Sequence, residues 1–111
     1  MIWYDDLYVS ENIEKKTEKI KWKIEHNAGM LQVYVITLPV NSGNLLEIIS
    51  TRELMQRHYP KKKLVVVGLA KGYEEAVTIA ASIIVETMNE QGNTNVKKYL
   101  SEKRRKRRQE R

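Results

Sequence analysis

The sequence predicts a single small α/β or α+β domain, in which a mixed sheet of about three strands packs with two long helices and one short helix. Two observations lead to this fold class. Segments with helical periodicity alternate with runs of β-branched and aromatic residues. One of those runs, residues 63–69, is apolar on both faces, which is typical of a central strand covered on both sides. We therefore expect a layered domain over residues 1–100.

The first helix is predicted from an apolar repeat that begins after a capping residue. Ser10 is a suitable N-cap, and acidic residues follow it in the first turn. The repeat has the i, i+4, i+7, i+11 spacing of one helix face and ends at Asn27 and Gly29. It consists of Ile13, Thr17, Ile20 and Ile24.

A strand is predicted over residues 31–38, because the segment is β-branched and aromatic and because turn residues close it. Those turn residues are Pro39, Asn41, Ser42 and Gly43. We interpret residues 45–49 as a strand folding back on the first one, followed by a short helix over residues 51–57 that ends before Pro60. One helix across this whole segment is the alternative.

The second long helix is predicted over residues 73–89, with two glutamates in its first turn. Its apolar residues cover well over half of the helix circumference, so we expect a deeply packed helix. They are Ala76, Val77, Ile79, Ala80, Ile83, Ile84 and Met88.

Positive charge is concentrated at the C-terminus. The net charge of +6 is carried almost entirely by residues 101–111, while residues 1–100 are close to neutral. The high pI of 9.6 therefore describes a nearly neutral body with a polycationic arm. The cations of the arm are Lys103, Arg104, Arg105, Lys106, Arg107, Arg108 and Arg111.

The arm has two structural interpretations. A run of charges is usually a solvated, disordered terminus. Alternatively, Thr94 or Asn95 caps a helix that Val96, Tyr99 and Leu100 anchor to the body, and the cations project beyond it. Dense guanidinium charge is typical of segments that contact phosphates, so we expect weak, nonspecific association with nucleic acid, RNA rather than DNA.

A second candidate surface lies on the first helix. Lys15, Lys19, Trp22 and His26 repeat at helical spacing opposite the isoleucines. An exposed aromatic among cations is typical of base stacking or of a protein interface, although packing of Trp22 under the N-terminal segment is the more frequent outcome. The alternative function is therefore a protein-interaction or homo-oligomeric module using this face, with the arm as a solubility or targeting element.

Enzymatic function is not indicated. Residues 68–72 have the wrong spacing for a phosphate-binding glycine motif and are better explained as a tight strand-to-helix turn. Asp5 and Asp6 are expected in a loop or turn before the first helix. We expect no cofactor, no metal ion and no catalytic residue. The lack of cysteine, of a leader-like N-terminus and of a long apolar run favours a cytoplasmic location without a membrane span.

Four segments together resemble a family of short bacterial proteins of unknown function. They are WYDDLYV at residues 3–9, VYVITLP at residues 33–39, LLEII at residues 45–49 and VVGLAKGYEEA at residues 66–76. The resemblance covers most of residues 3–100 and implies a single compact domain. It implies no activity, ligand or site.

Overall fold

The chain forms a four-stranded mixed sheet with helices on both faces in a computed structural model, which describes residues 1–28, 32–40 and 43–109. The predicted fold class is confirmed. The elements are β1 (Ile2–Val9), a 3-10 segment (Glu11–Lys16), α1 (Thr17–Glu25), β2 (Val33–Thr37), β3 (Glu47–Ser50), α2 (Thr51–Leu54), a 3-10 turn (Lys61–Lys63), β4 (Val65–Lys71), α3 (Tyr73–Gln91) and α4 (Val96–Gln109).

The strand order is β1-β4-β2-β3, with β4 parallel to β1 and antiparallel to β2. The prediction that residues 63–69 form a central strand is confirmed, because β4 has a neighbour on each side and its residues 66–70 are all buried. The predicted fold-back is confirmed as well. β3 pairs antiparallel with β2, and Val35 lies opposite Ile49.

Two apolar cores lie on opposite faces of this sheet. Neighbouring strand residues point to opposite faces, as Val66 and Val67 do. An irregularity in the β2–β4 pairing, where Ile36 and Thr37 face Gly68 and Val66, then shifts the alternation by one residue. Val66 and Leu69 therefore pack toward α1, while Val67 and Ala70 pack toward α3. The core on the α1 side is Ile13, Ile20, Ile24, Val33, Val35, Ile49, Leu54, Leu64, Val66 and Leu69. The core on the α3 side is Tyr4, Ile36, Val67, Ala70, Ala76, Ala80, Ile83, Val96 and Leu100.

The fourth strand, β1, corrects the prediction that Asp5 and Asp6 lie in a loop or turn. Both residues belong to β1, in an irregular stretch of an edge strand. Between its contacts with β4, β1 advances from Trp3 to Tyr8 while β4 advances only from Val66 to Gly68. Such a bulge bends a strand and redirects its side chains, and here it lies where the two carboxylates occur.

Glycine is required at positions 68 and 72, each for a different reason. A Cβ on Gly68 would lie 3.0 Å from the Tyr8 carbonyl oxygen and 3.1 Å from Ile36 Cδ1, so only glycine lets β1 and β2 approach β4 this closely. Gly72 has a φ of 84° and precedes the first residue of α3. Residues 68–72 therefore form the end of a strand and a tight turn into a helix.

Two of the predicted helices differ in extent from the structure. The first begins as 3-10 structure, and α-helical geometry starts only at Thr17, although Ile13, Ile20 and Ile24 are buried as expected. The short helix extends over Thr51–Leu54 and stops before Arg57, and the strand β3 before it excludes one continuous helix. Leu31, Gly29, Asn41 and Ser42 lie outside the described residues.

Helix α3 is buried along one face only, which corrects the expectation of a deeply packed helix. Ile83 is inaccessible to solvent, whereas Val77, Val85 and Met88 are exposed. The apolar residues that cover so much of its circumference therefore leave an apolar stripe on the surface. Within the described ranges, no helix is both long enough and apolar enough to cross a bilayer.

Candidate nucleic-acid interface

The basic segment is largely helical and is continuous with the body of the protein. Helix α4 runs without a break across residue 100, where the sequence predicts a domain boundary. The Oδ1 atom of Asn95 accepts a hydrogen bond from the N–H of Lys98, as an N-cap does. Val96 and Leu100 are each only 2% exposed and attach the first turns of α4 to the core on the α3 side.

Two arginines of the arm pair with the β1 bulge. Arg104 Nε lies 3.0 Å from Asp5 Oδ2, and Arg107 Nη1 lies 2.7 Å from Asp6 Oδ2. The spacing of three residues along α4 matches the two adjacent carboxylates, which the bulge presents at the edge of the sheet. All four side chains are part-exposed, so these pairs orient α4 more than they stabilise it.

A third cation of the arm, Lys103, belongs to a polar cluster centred on Glu86. The Oε2 atom of Glu86 accepts hydrogen bonds from Tyr8 Oη at 2.6 Å, from Tyr99 Oη at 2.6 Å and from Lys103 Nζ at 3.1 Å. Lys103 also donates to Tyr8 Oη at 3.0 Å. These groups come from β1, α3 and α4, so the cluster fastens the three elements together.

The electrostatics of this cluster follow from its geometry. Burial alone would raise the pKa of Glu86, but the hydrogen bonds from Tyr8, Tyr99 and Lys103 outweigh it and lower the pKa below its ordinary value. Burial and the hydrogen bond to Glu86 raise the pKa of Tyr8 and of Tyr99. Glu86 is therefore ionised and both phenols are neutral at neutral pH. Through these contacts, three cations of the arm attach α4 to the rest of the protein: Lys103, Arg104 and Arg107.

The remaining described cations of α4 are exposed to solvent. Lys97, Lys98, Arg105 and Lys106 are exposed, and their side chains have no ion pair with any described residue. Along the helix, Lys98 and Arg105 lie on the face opposite Val96 and Leu100, and Lys97 lies to one side of that face. The nearest acid along the helix, Glu102, is half-buried and accepts a hydrogen bond from Gln91. Over these described residues the outward surface of α4 is basic, and at its margin Lys106 lines a cavity together with Glu90 and Glu102.

Two predicted arm residues remain without a side-chain description. The side chain of Arg108 and the whole of Arg111 lie outside the described part of the structure. Of the seven cations predicted to bind nucleic acid, the structure places three against the body and leaves Arg105 and Lys106 facing solvent. Lys97 and Lys98 join these two on the outward surface, although the predicted arm begins after them.

The face predicted on the first helix is exposed. Trp22 is 56% exposed and stacks on the imidazole of His26 with ring centroids 4.3 Å apart. It is Trp3 that is covered, since Lys21 lies over its ring and Glu25 accepts its indole N–H. Lys19 shares the α-helical face of Trp22, whereas Lys15 lies in the 3-10 segment before it. Packing of Trp22 under the N-terminal segment does not occur.

The contacts of Asp5, Asp6, Glu86 and the two tyrosines could be anticipated only in part from sequence. A pair of adjacent acids near the N-terminus complements the Arg104 and Arg107 pair, and that was the available signal. Nothing in the local pattern of Glu86 distinguishes it from other helical glutamates. Among the described residues, no group of three or more His, Asp or Glu side chains is arranged to hold a metal ion.

No protein-family model matches this chain, and no curated protein or solved structure matches it significantly. The resemblance to a family of short bacterial proteins therefore stays a prediction. The class of the protein is defined by its geometry: a mixed α/β domain whose C-terminal helix is docked by one face and basic on the other.

Proposed function

We propose that this protein is a small non-enzymatic binding module that associates with nucleic acid through the outward surface of α4, and with RNA in preference to DNA. The observation that supports the proposal is that the cations of one helix have two different roles. Lys103, Arg104 and Arg107 fix the helix, while Lys97, Lys98, Arg105 and Lys106 stay free of carboxylate partners within the described structure.

A docked basic helix has an advantage over a disordered tail. Its cations are held on one surface, so less conformational entropy is lost when they contact phosphates. Four such contacts with a single strand would give a slope of log affinity against log salt of about −3. No base-specific reading is implied, because phosphate contacts position a protein without reading sequence. The cytoplasm is the location in which such a partner is expected.

The test is a pair of matched triple variants. The first replaces Lys97, Lys98 and Arg105 by glutamine, and the second replaces Lys62, Lys63 and Arg57, which are exposed cations elsewhere on the surface. Both remove two lysines and one arginine, and neither touches the cations that fix α4. Fluorescence anisotropy with a labelled single-stranded RNA should show at least a tenfold loss for the first variant only. Equal losses, or no binding by the unmodified protein at about 50 mM salt, would refute the proposal.

A second candidate function is a protein-interaction or homo-oligomeric module using the face of Lys15, Lys19, Trp22 and His26. The exposure of Trp22 favours it, because large aromatics are seldom left in solvent and are enriched at interfaces. Light scattering of the protein and of Trp22→Ala tests this candidate. An oligomer that dissociates in the variant supports it, and a monomer in both excludes self-association through this face.

A further inference from the structure

A groove lined by four lysines lies between α1 and the sheet, on the opposite face from α4. Its volume is about 290 Å³. Lys16, Lys19 and Lys23 approach it from the helical side, and Lys71 approaches it from the end of β4. The remaining lining residues are Asn12, Ile13, Ile20, Gln32 and Val33.

Two hydrogen bonds through Ser10 connect Lys71 and Asn12, which line the groove. The N–H of Lys71 donates to Ser10 Oγ at 3.2 Å, and Ser10 Oγ donates to Asn12 Oδ1 at 2.8 Å. Ser10 is only 5% exposed, so this contact is well shielded from solvent. Because Asn12 accepts through its oxygen, its amide N–H groups are left as donors.

The charge of the groove is unbalanced. The side chains of Lys16, Lys19, Lys23 and Lys71 have neither a hydrogen bond nor an ion pair with any described residue, and no described carboxylate lines the groove. Glu74 and Glu75 follow Lys71 closely in sequence but do not line it. Four lysines that line one small volume without a described carboxylate leave its positive charge uncompensated, and an anion with several charges is the ligand that such a charge favours.

A second cavity adjoins the groove across Gln32 and Val33, which line both. Its volume is about 450 Å³, and it is lined also by Tyr34, Ser50, Arg52, Gly72 and Tyr73. The rings of Tyr34 and Tyr73 meet edge to face with centroids 5.7 Å apart, and Tyr73 is 58% exposed. Exposed tyrosine rings are suitable surfaces for a planar base.

We infer that the two cavities form one site for a nucleoside di- or triphosphate, with its phosphates among Lys16, Lys19, Lys23 and Lys71 and its base against Tyr73. The site lies where β4 ends, and the carboxyl ends of sheet strands are a common position for such ligands. The size of each cavity is close to or within the range of about 300–1,000 Å³ for small-molecule sites. This site uses none of the residues of the α4 surface, so it goes beyond the proposed function.

Isothermal titration calorimetry with ADP and with inorganic pyrophosphate tests the inference on the full chain. ADP and pyrophosphate should bind, and Lys19→Gln together with Lys71→Gln should weaken both at least tenfold. Lys62→Gln together with Lys63→Gln is the matched control and should leave both affinities unchanged. Tyr73→Ala should weaken ADP binding and leave pyrophosphate binding unchanged.

Two further measurements distinguish this site from the α4 surface and from a site that binds an RNA strand. The triple variant of Lys97, Lys98 and Arg105 should bind ADP normally, even if it no longer binds RNA. Absence of ADP and pyrophosphate binding at millimolar concentration would overturn the inference, as would an equal loss in the Lys62 and Lys63 control. Lysine-dependent binding of a short RNA without binding of ADP would also overturn it, because the groove would then hold a strand.

Discussion

The phenolic hydroxyl of Tyr4 donates a hydrogen bond to the backbone carbonyl of Leu100, 3.1 Å away and 96 residues further along the chain. Both residues are buried, and burial raises the pKa of Tyr4. The contact fixes α4 to β1 at the point where the basic segment begins. Removal of α4 residues should therefore have consequences for the fold as well as for charge.

Ending the chain at Leu100 should lower the stability of the domain. The truncation removes Lys103 and leaves Glu86 without this partner, and the ion pairs with Asp5 and Asp6 that orient α4 are lost as well. We expect a loss of about 1–3 kcal/mol, or a decrease in Tm of several degrees, because hydrogen bonds to charged groups are lost. Differential scanning calorimetry measures it. The variant with glutamine at positions 97, 98 and 105 should melt like the unmodified protein, which shows that charge removal alone has no such effect.

Glu86→Gln should destabilise the domain by about 1–2 kcal/mol, since the amide cannot replace a carboxylate that accepts three hydrogen bonds. The value is moderate because Glu86 and Lys103 are each about one third exposed. Urea unfolding gives the free energy. Glu90→Gln is the control on the same helix, since Glu90 is exposed, and an equal effect in both variants would contradict the role of the cluster.

The pH dependence of stability should carry the signature of the same cluster. The pKa of Glu86 is lowered from 4.5 in the folded protein, so its contribution is fully present above pH 4.5 and is lost as the pH falls through the folded value. Unfolding free energies between pH 7 and pH 3 should decrease less steeply in Glu86→Gln. Parallel curves for the two proteins would show that Glu86 does not titrate as described.

At alkaline pH the tyrosines of the cluster should make the stability decrease as the pH rises. The pKa of Tyr8 is raised above 10.0 by burial and by its bond to Glu86, so its stabilising contribution is present below pH 10.0 and is lost as the pH rises further. Tyr8→Phe should be less stable at pH 7 but should lose less stability between pH 9 and pH 11. Thermal melts across this range test the expectation, and an unchanged alkaline decrease would contradict it.

The two faces of α3 should respond differently to charge. Ile83→Asp places a carboxylate at a fully buried position and should cost several kcal/mol, which approaches the total stability of about 5–15 kcal/mol for such domains. Val85→Asp, at a position 56% exposed, should cost less than about 1 kcal/mol. Soluble yield and Tm compare the two, and similar losses would mean that both faces are buried in solution.

Much of the fold is predictable because local patterns and tertiary environment agree. The run of residues 63–69 is apolar on both sides, and β4 is covered on both sides. The capping pattern at Ser50 is equally informative, since its hydroxyl accepts the N–H of Glu53 and starts α2. Here sequence-local physics decides the structure.

The features that escape prediction depend on contacts distant in sequence. Asp5 and Asp6 are poor strand residues, and they occur in β1 because Arg104 and Arg107 neutralise them at the bulge. The exposed side of α3 could not be predicted for a related reason, since the apolar composition of a helix does not reveal which of its faces the sheet covers. The lysines around the groove come from the 3-10 segment, α1 and β4, so no linear motif unites them.

The long sequence separation between β1 and the elements that it contacts also determines how the domain opens. The strands β2 and β3 form a hairpin from neighbouring segments, whereas β1 gains its contacts from β4 and α4, late in the chain. Elements joined only by distant contacts order slowly and tend to exchange their amide protons as a unit. Hydrogen exchange should therefore report β1 and α4 opening together, at a lower free energy than β4. The basic surface would then exist only while the first strand of the domain is in place.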